Sequence, residues 1–230
     1  MLLQERQVSK IFTSENLQFL LQGAGVSIAL AFGALVIGAV LGVIGAAGKL
    51  SKIKIFNWIA NIYVEVFRGT PMLLQIYFFY LGVPVIISMI TGTRVRMNIY
   101  IVALVALSLN SGAYQTELIR SGIQGVDKGQ WEACETLGIS YWTMMKEVIL
   151  PQAFKRIIPP LVSEFITLIK DSSLASVIGT AELMYRTQAL GARYYNYLYP
   201  LMIAAVMYLI MTLCVSWIGK KIEKRLSVSD

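Results

Sequence analysis

The sequence predicts an all-α integral membrane protein with about five transmembrane helices. The chain of 230 residues is 57% hydrophobic and 14% charged, which is too apolar for an ordinary soluble domain. Its apolar residues form long runs, and about 20 such residues are enough to cross the hydrocarbon core of a bilayer. The first run, 23–48, contains Ser27 as its single polar side chain. Length and composition of the runs therefore indicate membrane-spanning helices.

The predicted spans, taken in order, are 23–48, 55–90, 97–119, 149–169 and 196–219. We expect the spanning part of the second run to end near Gly82-Val83-Pro84, where helix-favouring signals fail. The segment before the first span lacks the features of a cleaved signal peptide and predicts an interfacial helix. The sequence thus divides into an N-terminal interfacial segment 1–22, one transmembrane domain 23–219 and a basic tail 220–230.

Small residues recur at every fourth position of the first span, at Ala34, Gly38, Gly42 and Ala46. Residues at this spacing share one face of a helix. Small side chains on one face let another helix approach closely in a membrane. The pattern predicts a packing seam for a neighbouring span.

The residue types argue against several functions. The chain has no His and two isolated cysteines, Cys134 and Cys214, so it predicts neither a His-based nucleophile nor a metal site. Gly48-Lys49 lacks the first Gly and the Ser/Thr of a phosphate-binding loop. We therefore expect no enzyme activity and no cofactor in this chain. The net charge of +7 is explained by basic residues that flank the spans on one side, and it does not indicate nucleic-acid binding.

Ionisable residues lie within the third and fourth predicted spans, where such groups are functional candidates. Asn110, Tyr114 and Glu117 share one face of the third span, and Glu164 and Asp171 share one face of the fourth. Two such stripes on neighbouring helices would form a negative, partly hydrated slot.

Structural roles remain open for three of these acids. Glu117 has Arg120 three residues away and could form an ion pair with it. Asp171 could cap a helix break at Ser172-Ser173. Glu164 has no basic residue three or four positions away, so its partner must be a ligand or another helix.

The second run is interrupted by Glu65, Arg68, Gly69, Thr70 and Pro71. Pro71 has no N–H and Gly69 loosens the same turn, so backbone polar groups become available there. Broken helices of this kind often hold polar substrates in transporters. The alternative is a kinked helix with a Glu65–Arg68 ion pair.

A polar loop, about 125–151, separates the third and fourth spans. Asp127 predicts the cap of a short helix over 128–137, and Gly138 predicts its left-handed end. A second short helix should begin at Tyr141 and end at Leu150-Pro151. The alternative interpretation of this loop is an amphipathic helix that rests on the bilayer surface.

The loop contains Glu132-Ala133-Cys134, then Gly138, and further on Val148, Leu150 and Pro151. This pattern resembles the cytoplasmic coupling loop of ABC-transporter permeases. Three further stretches, 67–75, 111–123 and 168–174, are similar to signatures of permeases for polar amino acids of the histidine, glutamine and arginine type.

The resemblance implies how the chain works. The coupling helix would contact the ATPase through Glu132, Ala133, Cys134, Glu135 and Gly138. ATP and Mg would bind in two separate ATP-binding subunits. The other implied partners are a second permease copy or a paralogue, with a homodimer favoured, and an extracytoplasmic substrate-binding protein. The implied location is the bacterial inner membrane, surrounded by lipid, with the N-terminus outside and the C-terminus in the cytoplasm.

Glu164 departs from the family pattern, which often has a neutral residue there. An unpaired acid favours a cationic amino acid, since a carboxylate matches a guanidinium or ammonium group. A glutamine-type or other neutral or acidic substrate is the alternative, and a secondary transporter that needs no ATPase is the alternative from another class. The predicted substrate-binding residues are Glu164, Asn110, Thr70, Asp171, Tyr114 and Glu117.

Overall fold

A computed structural model describes residues 10–227, and this part of the chain is almost entirely helical. The all-α prediction is confirmed. The α-helices, numbered in chain order, are α1 Ser14–Leu50, α2 Lys54–Gly69, α3 Met72–Thr91, α4 Ile99–Gln124, α5 Lys128–Thr136, α6 Tyr141–Met144, α7 Leu150–Asp171, α8 Leu183–Tyr194 and α9 Leu198–Ser227. A 3₁₀ segment, Ser172–Ile178, continues directly from α7.

Four of the described helices, α1, α3, α4 and α9, are long and apolar enough to cross a membrane. Helix α7 occupies the fourth predicted span and has 22 residues. It is more polar than the other four because it carries Lys155, Arg156, Glu164, Lys170 and Asp171. Helix α7 is thus long enough to span but is amphipathic, with a polar side that needs a protein or water neighbour.

The predicted end of the second span near Gly82-Val83-Pro84 is wrong. Helix α3 continues to Thr91, and Gly92 ends it in a left-handed conformation with φ of 71°. Residues Phe78–Gly82 form a π-helical turn, in which the Val83 N–H donates to the Phe78 carbonyl. This wider turn comes directly before Pro84, so the helix accepts the ring without a break.

A π-helical turn also contradicts a second prediction, that the helix starting at Tyr141 ends at Leu150-Pro151. The start is confirmed, with Ser140 as its cap. However, a π-helical turn, Met145–Ile149, joins α6 to α7, and the Leu150 N–H donates to the Met145 carbonyl. Pro151 then falls in the first turn of α7, where a missing N–H is tolerated. The chain therefore stays helical from the loop into α7.

Helix α1 extends beyond the predicted first span. It begins at Ser14, where the Thr13 side chain accepts from the Asn16 N–H, so the expected boundary at 22 falls inside the helix. Leu20 is buried against α8 and α9 together with Leu183 and Ala204. Residues 1–9 of the predicted interfacial segment and 228–230 of the predicted tail lie outside the described residues.

The packing seam of α1 is confirmed, and α4 is its neighbour. Ala34 and Ala46 are buried. A Cβ at Gly38 would lie 2.8 Å from Gln115 Nε2, and one at Gly42 would lie 2.8 Å from Gln115 Cβ. The two backbones approach this closely only because these positions lack side chains. The α1–α4 pair forms the centre of the molecule, with α7, α8 and α9 packed around it.

The two ends of the bundle are fixed by these contacts. Lys49, in the last turn of α1, forms an ion pair with Glu117 in the last two turns of α4. The carboxyl ends of α1 and α4 therefore lie at the same end as the α5 loop. Helix α8 packs at the other end, where Leu183 contacts Gly23 of α1.

Candidate functional site

The predicted site residues lie on α4 and α7 and, for Thr70, directly after α2, and both α2 and α7 pack against α4. The Arg68 guanidinium of α2 lies 5.1 Å from the centre of the Tyr114 ring of α4. The Ser111 hydroxyl of α4 donates to Glu164 of α7 over 2.7 Å. Helix α4 thus contacts one charged side chain from each of two neighbouring helices, Arg68 of α2 and Glu164 of α7.

Glu164 is partly buried and is held from one side. Its Oε1 accepts from Ser111 Oγ, which in turn accepts from Gln115 Nε2 over 3.0 Å. Gln115 also donates to the Leu35 carbonyl of α1 over 3.1 Å, so the chain of donors is anchored in the centre of the bundle. None of the ion pairs among residues 10–227 involves Glu164. Its second oxygen remains available to a ligand.

Asp171 is the last residue of α7, where the helix changes to the 3₁₀ segment. The predicted break at Ser172-Ser173 is therefore present. Asp171 does not cap it through its side chain, because the 3₁₀ segment has no side-chain cap. Asp171 and Glu164 are seven residues apart on one face of α7, about 10 Å along the axis. The face therefore carries two acids without a cation paired to either in the described part of the chain.

The break between α2 and α3 is closed by an amide network. Gln75 Nε2 donates to the Phe67 carbonyl at 2.8 Å, to the Thr70 carbonyl at 3.1 Å and to Thr70 Oγ1 at 2.9 Å. Asn110 Nδ2 donates to the Phe67 carbonyl and to Gln75 Oε1, both at 3.0 Å. The Thr70 hydroxyl donates to the Val66 carbonyl at 2.7 Å.

The expectation that the break leaves backbone groups available is wrong for these carbonyls, because side chains of α3 and α4 occupy them. Thr70 and Asn110 stabilise the backbone conformation of the break through these hydrogen bonds. Their predicted contact with substrate stays a prediction. The alternative Glu65–Arg68 ion pair does not form among the described residues, since Arg68 stacks on Tyr114.

Glu117 lies in a cluster of charges at the loop end of α4. It forms ion pairs with Lys49 and with Arg120, whose Nη2 lies 2.7 Å from Glu117 Oε2. The Glu117–Arg120 pair is the structural role expected for neighbours three residues apart. Lys49 adds a link to α1. This cluster ties the two central helices together next to the α5 loop.

The local geometry of the loop confirms the predicted caps. Asp127 Oδ1 accepts from the Gly129 N–H at 2.7 Å, and α5 begins at Lys128. Gly138 has a φ of 66°, the left-handed conformation that ends a helix. Helix α5 is a compact element set between the end of α4 and the start of α6.

Helix α5 has two distinct sides. Cys134 is buried in a small apolar cluster with Ile123, Met144 and Ile149. The residues that point outward share exposure to solvent; they are Glu132, Ala133, Glu135, Gly138 and the apolar Leu137, Tyr141 and Trp142. Of the predicted coupling residues, Cys134 therefore anchors α5 to the bundle, and the others form the outer surface.

Sequence reasoning misses Glu182, the fully buried acid at the start of α8. Its carboxylate accepts from the Met184 and Tyr185 N–H groups at 2.8 and 2.7 Å. It also accepts from Tyr208 Oη at 3.0 Å and from Ser27 Oγ at 3.2 Å. Glu182 thereby joins α8 to α1 and α9. Ser27, the single polar side chain of the first run, was the available signal, because a buried hydroxyl needs a polar partner.

Residues 34–228 match the model of the family described as binding-protein-dependent transport system inner membrane component. The chain belongs to this family. Its members are the membrane permease subunits of ABC importers, and ATP hydrolysis takes place in separate subunits. The predicted resemblance to amino-acid ABC permeases is confirmed.

Two bacterial relatives show how similar such permeases are to this chain. The arginine transport system permease protein ArtQ of Bacillus subtilis is 42% identical over 95% of this chain and 97% of its own length. A Rickettsia typhi protein named for glutamine transport, GlnP, is 40% identical over 92% of this chain and 94% of its own length. The two relatives are named for different substrates, arginine and glutamine, although their sequence identities to this chain are nearly equal.

A solved structure agrees with the fold. The crystal structure of an amino acid ABC transporter with histidines matches with a TM-score of 0.85 and 37% identity, covering 92% of this chain and 95% of the solved chain. An inward-facing MetNI methionine ABC transporter matches with a TM-score of 0.72 and 18% identity, over 94% of this chain and 99% of that one. The latter supports the fold alone.

Proposed function

We propose that this chain is the permease of an importer for cationic amino acids, such as arginine, lysine or histidine. The observation that carries the proposal is the Glu164 carboxylate, which is partly buried, anchored by Ser111 and without a cation among the described residues. An ionised group at membrane depth is costly unless it is paired or hydrated. A guanidinium or ammonium side chain of the substrate supplies the missing charge. The similarity to ArtQ supports the same substrate class.

The other predicted residues have supporting roles in this proposal. Asp171, on the same face of α7, adds negative charge to the pathway. Asn110 and Thr70 lie at the helix break and shape its wall, and Tyr114 exposes its ring beside Arg68. We include Glu117 as the acid at the loop end of the pathway, although ion pairs occupy its carboxylate.

The transport cycle that we propose is alternating access. A substrate-binding protein delivers the amino acid to the outer end, and two ATPase subunits dock on the exposed side of α5. Closure of the ATPases on ATP moves α5, and this motion passes to the spans through two connections. One is the buried Cys134 cluster, and the other is the helical path from α6 through the π-helical turn into α7, which carries Glu164.

The assembly that fits this mechanism contains two permeases, and we favour a homodimer. Glu65, Arg68 and Lys170 are exposed on α2 and α7. Lipid cannot neutralise charges on these faces, so a second permease and the hydrated pathway are the neighbours that suit them. The N-terminus would lie outside and the C-terminus in the cytoplasm, since basic residues are concentrated at the loop end.

Equilibrium binding of radiolabelled arginine and glutamine to the purified permease–ATPase complex in lipid nanodiscs tests the substrate assignment. We expect Glu164→Gln to weaken arginine binding by about 2–5 kcal/mol, the usual cost of removing one partner of a buried charge pair. Glutamine binding should change little. Glu15→Gln, an exposed acid in the first turn of α1, is the matched control and should bind arginine as the original chain does.

Two results would contradict the proposal. If Glu164→Gln keeps both its affinity and its preference for arginine, Glu164 is not the side-chain ligand. If the original complex prefers glutamine, the substrate class is wrong. Uptake of amino acid by the permease without any ATPase would instead favour a secondary transporter.

A further inference from the structure

The predicted substrate-binding residues contain no group for one part of every amino acid, its α-carboxylate. The set consists of acids and neutral side chains: Glu164, Asp171, Glu117, Asn110, Thr70 and Tyr114. A carboxylate that leaves water needs a cation or several hydrogen-bond donors, because an unpaired charge is costly inside a protein. The pathway therefore requires a basic side chain that the predicted set lacks.

Arg68, in the last turn of α2, is a basic side chain that lies against this set. Its guanidinium carbon is 5.1 Å from the centre of the Tyr114 ring. Arg68 is exposed, and it forms no ion pair or side-chain hydrogen bond within residues 10–227. Its neighbour is thus an aromatic ring and not an acid, so its charge is not neutralised. The planar guanidinium keeps N–H donors that match both oxygens of a carboxylate.

The backbone on both sides of Arg68 is fixed by side chains of α3 and α4. The Phe67 carbonyl, directly before Arg68, accepts from Gln75 Nε2 at 2.8 Å and from Asn110 Nδ2 at 3.0 Å. The Thr70 carbonyl, two residues after Arg68, accepts from Gln75 Nε2 at 3.1 Å. The helix break therefore presents Arg68 from a defined position, and such preorganisation lowers the entropic cost of binding a ligand.

Glu164 approaches the same side of α4 from the other neighbouring helix. Arg68 lies against Tyr114, and Glu164 accepts from Ser111 at 2.7 Å. Residues three apart are neighbours on a helix surface, with about 5–6 Å between their Cβ atoms. Arg68 and Glu164 do not form an ion pair with each other in the described part of the chain. A positive and a negative group thus lie about one turn of α4 apart, one on α2 and the other on α7.

This pair of opposite charges matches an amino acid with a cationic side chain, whose carboxylate and side-chain charge are at opposite ends of the molecule. We propose that Arg68 binds the α-carboxylate of the transported amino acid, in an orientation that directs the substrate side chain toward Glu164. The inference rests on the pathway along Glu164 proposed above. Because all amino acids carry the α-carboxylate, Arg68 selects amino acids as a class, and Glu164 selects among them.

Two other basic residues near the pathway fit this role less well. Arg120 already donates to Glu117 and to Gln124. Lys170 is exposed, but it comes six residues after Glu164. This spacing rotates it by about 240° around α7, away from the side that contacts α4. Arg68 therefore suits the carboxylate better than either.

Equilibrium binding of arginine and argininamide to the permease–ATPase complex in lipid nanodiscs tests this role. Argininamide keeps the guanidinium and the α-amino group but has a neutral amide in place of the carboxylate. We expect the original complex to bind arginine about 10- to 150-fold more tightly, the usual contribution of a hydrogen bond to a charged group. In Arg68→Gln the affinity for arginine should fall to the value for argininamide, whereas argininamide binding should change little.

Three variants separate carboxylate binding from a structural role. Arg68→Lys keeps the positive charge but not the planar fork, and should retain part of the preference for arginine over argininamide. Arg94→Gln, exposed in the α3–α4 connection, is the matched control and should retain all of it. Glu164→Gln should weaken both ligands by the same factor, because both carry the guanidinium.

Glutamine and glutaminamide distinguish this inference from the substrate class proposed above. If the original complex prefers glutamine to arginine, the cationic class is wrong. Arg68→Gln should then still remove the preference for glutamine over glutaminamide, because these two ligands also differ at the α-carboxylate. That result would support the Arg68 assignment without the cationic substrate.

Three results would overturn the assignment of Arg68. A full preference for arginine over argininamide in Arg68→Gln would mean that another group binds the carboxylate. Loss of this preference in Lys170→Gln, with Arg68→Gln unaffected, would identify that group as Lys170. An equal weakening of both ligands in Arg68→Gln would mean that Arg68 shapes the site or pairs with an acid of a second permease.

Discussion

Replacing Gly45 with Ala should weaken the α1–α4 contact more than any ordinary Gly→Ala change in a helix. A Cβ at Gly45 would lie 2.1 Å from Thr116 Oγ1, 3.0 Å from its Cγ2 and 3.1 Å from its Cβ. All three side-chain atoms of Thr116 are therefore too close, and rotation of the side chain cannot clear them. Thr116 is fully buried, and its hydroxyl donates to the Gly112 carbonyl at 2.8 Å. The two helices must move apart.

Overpacking of this kind typically costs about 1–3 kcal/mol. For a chain of 150–250 residues, each kcal/mol lowers Tm by about 2–4 °C, so the steric cost alone corresponds to a decrease of about 2–12 °C. Helix propensity acts in the opposite direction, since Ala is favoured over Gly by about 1 kcal/mol in a helix interior. A net decrease therefore requires the steric cost to be the larger of the two.

Thermal unfolding of the purified permease in detergent, followed by size-exclusion chromatography of the surviving fraction, measures this effect. Gly25→Ala is the matched control, because no atom lies within 4 Å of a Cβ at that position, and its Tm should stay the same or rise. In a Thr116→Ala background, Gly45→Ala should cost less than half as much as in the original chain. A Gly45→Ala variant as stable as Gly25→Ala, or one that Thr116→Ala does not relieve, would refute the steric reasoning.

Three further predictions test other contacts. In a Cys214→Ser background, Glu135→Cys should react with a water-soluble maleimide, whereas the buried Cys134 should not. Addition of the ATPase subunit should protect Glu135→Cys from the maleimide. An equal extent of labelling with and without the ATPase would contradict docking on the outer side of α5. Gln75→Leu removes the side-chain donor to the Thr70 carbonyl and the acceptor of the Asn110 amide, while Asn110 still donates to the Phe67 carbonyl; it should lower Tm by several degrees, because an unsatisfied buried group costs about 1–3 kcal/mol. Glu182→Ala should destabilise more than Glu182→Gln, since only the amide keeps an acceptor for the α8 N–H groups; equal melting of the two would argue against the cap.

The sequence predicts best those features that depend on neighbouring residues. Asp127 and Gly138 mark the ends of α5 correctly because a cap or a left-handed turn is decided by one side chain and its own backbone. The seam of small residues in α1 is likewise local, since its spacing alone places it on one face. The long apolar runs predict the spans for the same reason.

The sequence predicts poorly where a proline meets a well-packed helix. Pro84 and Pro151 both indicated helix ends, yet both follow a π-helical turn that accommodates the ring. Whether a helix breaks or widens depends on the packing of the surrounding helices, which no local pattern reports. Polar partners are hidden in the same way: Ser111 for Glu164, and Ser27 and Tyr208 for Glu182, are far away in sequence.

The distribution of exposed side chains divides the surface of this chain between lipid and protein. Helices α1 and α9 expose apolar residues such as Val43 and Leu209, which suit lipid chains. Helices α2 and α7 instead expose Glu65 and Lys170 in their middle or final turns. A charge at the bilayer centre costs about 2.5–3.5 kcal/mol on insertion scales, so several such charges facing lipid would outweigh much of the stability of a domain. The charged faces of α2 and α7 therefore need water or another protein as a neighbour, and this requirement agrees with the proposed pathway along Glu164 and the proposed second permease.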